Sequence, residues 1–135
     1  MQDAFRLELP SELARVGDAI ATISGRCFAD GLASPRTRFR LCTVLAEALG
    51  NAMLYGNGGD PNRCVTIEVA IDDDRIILAV SDQGDGFDHA ATSFQPGDDS
   101  LEATRGRGLF VIRHLADHVE FNERGNTIWV TLPRH

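Results

Sequence analysis

The sequence predicts an α+β two-layer sandwich, a mixed and mostly antiparallel sheet covered on one face by helices. Three observations predict it. The strand-like segments come mostly in pairs joined by short turns, and two long segments at helical spacing lie side by side near the start of the chain. The resulting order, β-α-α-β-β-loop-α-β-β, is not the alternating βαβ pattern of a doubly wound fold.

Residues 4–9 alternate apolar and polar as a short strand closed by Pro10. Ser11 is placed to cap the helix that follows, with Ala14 where a full capping box would carry Glu. Leu13, Val16, Ile20 and Ile23 step at helical spacing to about Ala29, and Gly31 is the expected stop. Ser34-Pro35 is a second start signal, a capping side chain followed by Pro at the first helical position. That helix is expected to run to about Tyr55 on an apolar stripe of Leu41, Cys42, Leu45, Leu49, Ala52 and Met53, until GNGGDP at 56–61 ends it.

Residues 65–71 (VTIEVAI) alternate as a half-buried strand, Asp72-Asp73-Asp74 forms a polar turn, and residues 75–81 (RIILAVS) are apolar enough for a central strand. Residues 82–107 are rich in Gly, Asp and Ser with little periodicity, the composition of a functional lid or loop. Residues 108–116 predict a short helix. Residues 119–121 and 127–132, turned at Arg124-Gly125-Asn126, predict a closing hairpin on which Trp129 belongs to the core or the sheet surface.

At 135 residues the chain is expected to form one domain over residues 1–135, large enough to bury a core without disulfides or a structural metal. Its 13 basic and 20 acidic residues give a net charge of −7, the wrong sign for a predominantly electrostatic nucleic-acid binder. Every basic residue is Arg. Without Lys there is no Walker A loop, no protein-kinase strand lysine and no Schiff-base chemistry. Cys27, Cys42 and Cys64 show neither a disulfide framework nor zinc-ligand spacing, and reduced thiols in a cytoplasmic protein are expected. No signal-peptide pattern and no membrane-spanning apolar run is visible.

Three stretches carry unusual residue choices. Glu47 and Asn51 stand four apart on the second helix and project from one face, either as a solvated polar edge or as a carboxylate base beside an amide oxygen suited to a hard cation such as magnesium. Asp82-Gln83-Gly84-Asp85-Gly86-Phe87 follows the apolar strand. It is either a tight turn or a loop that presents Asp82 to a buried donor while glycine lets backbone approach a ligand. Arg105-Gly106-Arg107-Gly108-Leu109 puts two glycines where a helix is expected to open, either as a plain helix N-terminus with flexible glycines or as one whose free backbone N–H groups face an anion. Neither glycine pair completes a dinucleotide fingerprint, and the acidic loop lacks the spacing of an EF-hand. His114 and His118, four apart, are read as residues near a helix C-terminus rather than as metal ligands.

In this order and on these elements, the three stretches resemble the GHKL ATP-binding fold of histidine kinases, topoisomerase ATPase subunits and MutL-type repair proteins. The resemblance is closest to the bacterial anti-sigma factor serine/threonine kinases. Glu47-x-x-x-Asn51 followed by Tyr55-Gly56-Asn57 is similar to that family's N box. Asp82-x-Gly84-x-Gly86-Phe87 resembles its first glycine box, and Arg105-Gly106-Arg107-Gly108-Leu109-Phe110 with Ile112-Arg113 resembles its second. The resemblance runs from Leu7 to Leu132. Two departures stand out: Tyr55 occupies a position where the family often has His, and the lid has no Lys.

The resemblance implies ATP and Mg2+ as cofactors. It implies Glu47 as general base, Asn51 as the protein's metal ligand, and Asp82 as acceptor for the adenine amino group. Gly84 and Gly86 would give the base close access, while Gly106 and Gly108 would wrap the phosphates with Arg105 or Arg107 near the terminal one. Thr127 would reach the adenine through water. The implied function is phosphorylation of an anti-sigma factor antagonist of STAS type, together with sequestration of a sigma factor, by a cytoplasmic protein that contacts neither nucleic acid nor membrane. The family also implies a possible homodimer through the N-terminal strand region. Two other functions fit the same motifs, a nucleotide-gated binding module without catalysis and a histidine-kinase ATPase module acting in trans.

Overall fold

The computed structural model describes residues 3–29, 31, 33–85 and 101–135, with backbone alone for residues 101–105. Five strands form one sheet: β1 (Asp3–Pro10), β2 (Cys64–Ile71), β3 (Arg75–Ser81), β4 (His118–Phe121) and β5 (Thr127–Pro133). The spatial order is β1-β2-β3-β5-β4, and every neighbouring pair is antiparallel. Three helices pack on one face: α1 (Val16–Cys27), α2 (Pro35–Asn51) and α3 (Leu101–Leu115), with α2 between the other two. The expected two-layer α+β class is therefore the observed one, and its sheet is antiparallel throughout.

Alternation along the strands decides which face is covered. Val65, Ile67, Val69 and Ile71 of β2, Ile76, Leu78 and Val80 of β3, and Ile128, Val130 and Leu132 of β5 all point into the helical layer and are buried. They meet Ile23 of α1, Leu41, Val44, Leu45 and Leu49 of α2, and Ile112 of α3. Burial of each such aliphatic side chain stabilises the fold by about 1.5–3 kcal/mol. β3 takes the expected central place, but its other face stays open: Ile77 and Ala79 are half-buried there beside the exposed Trp129 of β5.

The second helix starts as its sequence predicts. Ser34 has extended backbone, its Oγ accepts from the Thr37 N–H at 3.2 Å, and Pro35 occupies the first turn. It continues past Asn51 into a single π-helical turn, Ala52–Gly56, closed by the Asn57 N–H on the Ala52 carbonyl at 2.8 Å. Such widened turns concentrate at functional sites because they re-aim the residues that follow.

Four expectations are corrected. Ser11 does not cap α1, which is preceded by a 3₁₀ turn at Leu13–Arg15 and has no side-chain cap. The Ser11 hydroxyl is drawn instead into a buried polar cluster, donating to the Arg63 carbonyl at 2.7 Å. α1 ends at Cys27, ahead of Gly31, which serves a later turn at φ +73°. α3 begins at Leu101, so Gly106 and Gly108 lie within the helix rather than at its opening. The cost of glycine there, about 1 kcal/mol each relative to Ala, is offset by the burial of Leu109 and Ile112. His118 lies on β4, with its Nε2 2.7 Å from Glu120 Oε1, and not on the helix that carries His114. Among the described residues no helix is long and apolar enough to cross a membrane.

Candidate active site

α2 and α3 run antiparallel. Arg40 near the start of α2 donates from Nε and Nη2 to the Leu115 carbonyl at the end of α3, at 2.8 and 2.5 Å. At the other end, Gly108 of α3 rests on Glu47 and Asn51 of α2. A Cβ at Gly108 would lie 2.8 Å from Glu47 Oε2 and 3.1 and 3.3 Å from Asn51 Nδ2 and Oδ1. The missing side chain lets the helices approach closely and keeps the acid and the amide side by side. Asn51 Nδ2 is buried and has no hydrogen-bond partner among the described residues. A buried amide left this way costs about 1–3 kcal/mol, and such groups call for a functional account.

Asp82 leaves the end of β3 with its N–H on the Asn126 carbonyl at 2.9 Å. Its Oδ1 accepts from the Gly84 N–H at 2.9 Å, closing an Asx turn. The carboxylate lies directly against the α-carbon of Gly56, and the α-carbon of Gly84 against the Gly56 carbonyl oxygen, so neither glycine has room for a Cβ. Asn126 Nδ2 reaches the Gly84 carbonyl at 3.4 Å. The Thr127 hydroxyl lies 2.9 Å from that of Ser81, its cross-strand partner.

A small recess of about 30 Å³, partly open to solvent, lies between these groups. Ala48 and Ala52 of the α2 region, Val80, Leu109, Ile112, Phe121 and Ile128 give it apolar walls, with Asn51, Asp82 and Asn126 as its polar points. The balance of apolar wall to a few convergent polar groups is that of a small-molecule site. Its walls at 48 and 52 are small alanines, a carboxylate can accept from an exocyclic amine, and the amide lies at the other side.

The fold thus gathers Asn51 and Asp82 at one cavity, with Glu47 beside Asn51 and Gly84 behind Asp82. Thr127 is next to Asn126 on the chain but is not part of the lining. Arg107 is half-buried and Gly106 buried on α3. Gly86 and the side chain of Arg105 lie outside the described residues. Sequence reasoning missed Phe121, Asn126 and Ile128. Their signal is the register of the closing hairpin: Val80 pairs with Ile128, and Phe121 with Ile128 in turn.

A recess with a carboxylate at one end and an acid–amide pair beside it, on a helix-covered antiparallel sheet, defines a nucleotide-binding α+β domain. Residues 9–132 match the histidine kinase-like ATPase domain, and the chain belongs to that family. It is 30% identical over 95 residues to the anti-sigma F factor of Oceanobacillus iheyensis, an overlap of 66% of this chain and 64% of that protein. It is 34% identical over 95 residues to the anti-sigma F factor of Geobacillus stearothermophilus, covering 65% of this chain and 64% of the relative. Its identity to the serine-protein kinase RsbW of Staphylococcus aureus is 34% over 96 residues, covering 65% and 60%. The matches therefore span less than two thirds of these relatives. Among solved structures, the histidine kinase domain of a blue-light activated histidine kinase from Erythrobacter litoralis shares the fold, with a TM-score of 0.51 and 19% identity over 90% of this chain and 58% of the other.

Proposed function

We propose that this chain is an ATP-dependent serine/threonine protein kinase acting as an anti-sigma factor, which phosphorylates an antagonist protein and holds a sigma factor. The observation that carries the reading is the unsatisfied Asn51 amide beside Glu47, on a cavity that Asp82 enters from the other side. The relatives named as anti-sigma F factor and serine-protein kinase support it. The domain would be the single one over residues 1–135, working in the cytoplasm on an antagonist of STAS type, as a monomer or homodimer.

The residues present fit the implied groups. Asp82 accepts a hydrogen bond from the adenine amino group, and the apolar walls exclude water from the ring. Asn51 offers a neutral oxygen that would hold Mg2+, which when bound neutralises charge on the triphosphate. Glu47 Oε2 takes the proton from the attacking serine hydroxyl as its oxygen bonds to the terminal phosphorus and ADP leaves. Gly106, Gly108 and Arg107, with Arg105, would supply backbone and guanidinium donors to the phosphates from the first half of α3. Thr127 would reach the base through water, and Gly86 would let the chain pass close to it.

The test is a transfer assay with a candidate antagonist and labelled ATP. Acid-stable phosphoserine on the antagonist is expected, and a protein that binds ATP normally yet labels nothing overturns the kinase assignment. Gly108 seated on Glu47 favours one further reading, a module in which nucleotide gates a protein surface without transfer. Glu47→Ala separates the two, because a gate would still release its partner fully.

A further inference from the structure

Asn57 follows the π-helical turn, is only 2% exposed, and does not line the cavity. Its side chain makes three hydrogen bonds to three different segments. Nδ2 donates to Ser11 Oγ at 2.9 Å and to the Cys64 carbonyl at 3.1 Å, and Oδ1 accepts from the Gln83 N–H at 2.7 Å. Gln83 in turn uses its Oε1 to accept from the Cys64 N–H at 2.5 Å. The residues either side of Gln83 are Asp82 and Gly84, and both press on Gly56, the residue before Asn57. Two adjacent residues, Gly56 and Asn57, therefore fix the loop at Asp82, one by contact and the other by a hydrogen bond to its backbone.

We infer that Asn57 is a positioning residue for base recognition: through the Gln83 N–H it holds the Asp82 carboxylate at the distance from the α2 wall that selects an amino-bearing purine. The inference rests on the adenine-nucleotide reading above and adds to it the residue that sets its selectivity. Any buried Asn must satisfy its polar atoms, and what distinguishes one is where each bond goes. This one spends its acceptor on the loop carrying the recognition group, and the π-helical turn is what swings it inward to do so.

The experiment compares binding of magnesium ATP and magnesium ITP by calorimetry. ITP carries a carbonyl in place of the adenine amino group, so the ratio of the two dissociation constants reports the Asp82 contact. Wild-type protein is expected to favour ATP by about tenfold or more, the range for a hydrogen bond to a charged group. Asn57→Ala removes the tie to Gln83 and is expected to bring the ratio to within about twofold of unity; Asn57→Ser, too short to reach Gln83, replaces it if the Ala variant does not fold. Ser11→Ala breaks only the other end of the cluster and should lower the unfolding midpoint while leaving the ratio at its wild-type value. A wild-type ratio retained in Asn57→Ala or Asn57→Ser overturns the inference and leaves the adenine reading standing. Equal affinities in the wild type overturn both.

Discussion

The α-carbon of Gly56 lies against the Asp82 carboxylate with no room for a Cβ between them. The contact joins the end of the α2 region to the end of β3 and fixes the width of the recess at its polar corner. Gly56→Ala forces the carboxylate to rotate away, breaking the Asx bond to the Gly84 N–H at 2.9 Å. Overpacking of this kind costs about 1–3 kcal/mol, and denaturant unfolding should show a loss in that range together with weakened ATP binding. Gly84→Ala should be worse, because there the obstruction is the Gly56 carbonyl, which is backbone and cannot turn aside.

Asn51 sets stability against function. Its Nδ2 is buried without a partner among the described residues, so its presence is a cost to the folded state. Asn51→Ala removes that group and leaves stability unchanged or raised by up to about 2 kcal/mol, measured by urea unfolding. The same variant should lose the magnesium-dependent part of its ATP affinity. An Asn51→Ala protein that is clearly less stable, yet binds magnesium ATP as the wild type does, would make the amide a structural group.

Much of this was legible before any coordinates. The Ser34-Pro35 start signal is local chemistry, and the capping bond to Thr37 forms as written. The alternation in β2 likewise names its buried face, Val65 to Ile71. The Glu47–Asn51 spacing places both groups on one side of α2, which is all that helical geometry needs. What was not legible depends on partners distant in sequence. Ser11 has the residue type and place of a cap, but a buried Asn57 46 residues away recruits its hydroxyl. Gly106 and Gly108 read as a helix opening because isolated glycine disfavours helix. In the structure Gly108 is where α3 meets α2, and a close approach between helices outweighs propensity. Phe121 and Ile128 reach the recess only through strand register, which the hairpin turn alone does not reveal.

Gly108→Ala tests that contact. The added methyl gains up to about 1 kcal/mol of helix propensity. It also meets Glu47 Oε2 at 2.8 Å, the far end of a flexible side chain that can swing aside. The two effects oppose each other, so net stability should change by less than about 1 kcal/mol. Transfer should fall far more, because a displaced general base forfeits a contribution of about 10²–10⁴-fold. Thermal unfolding and the phosphoserine assay on one preparation measure both, and a variant with full transfer would place the proton acceptor elsewhere.

Cys27 lowers the stability of the fold at alkaline pH. Its side chain is fully buried at the end of α1, and burial pushes the thiol up to about 12 from 9.0, against a smaller opposing pull from Arg134 and Arg26. Below pH 9 the thiol is protonated in both folded and unfolded chains and stability does not depend on it. Between about pH 9 and 12 the unfolded chain releases this proton and the folded one keeps it. The unfolded state then binds fewer protons, so stability falls as pH rises, by up to about 1.4 kcal/mol per pH unit from this group. Cys27→Ala lowers stability at neutral pH by removing a buried group, but its curve should flatten across that window relative to the wild type. Urea midpoints at half-unit steps from pH 8 to 11 measure the difference, and parallel curves would show that the thiol does not titrate with unfolding. The same burial keeps Cys27 from alkylation in the folded protein, so its labelling by iodoacetamide at pH 8 should follow the unfolded fraction as urea is raised.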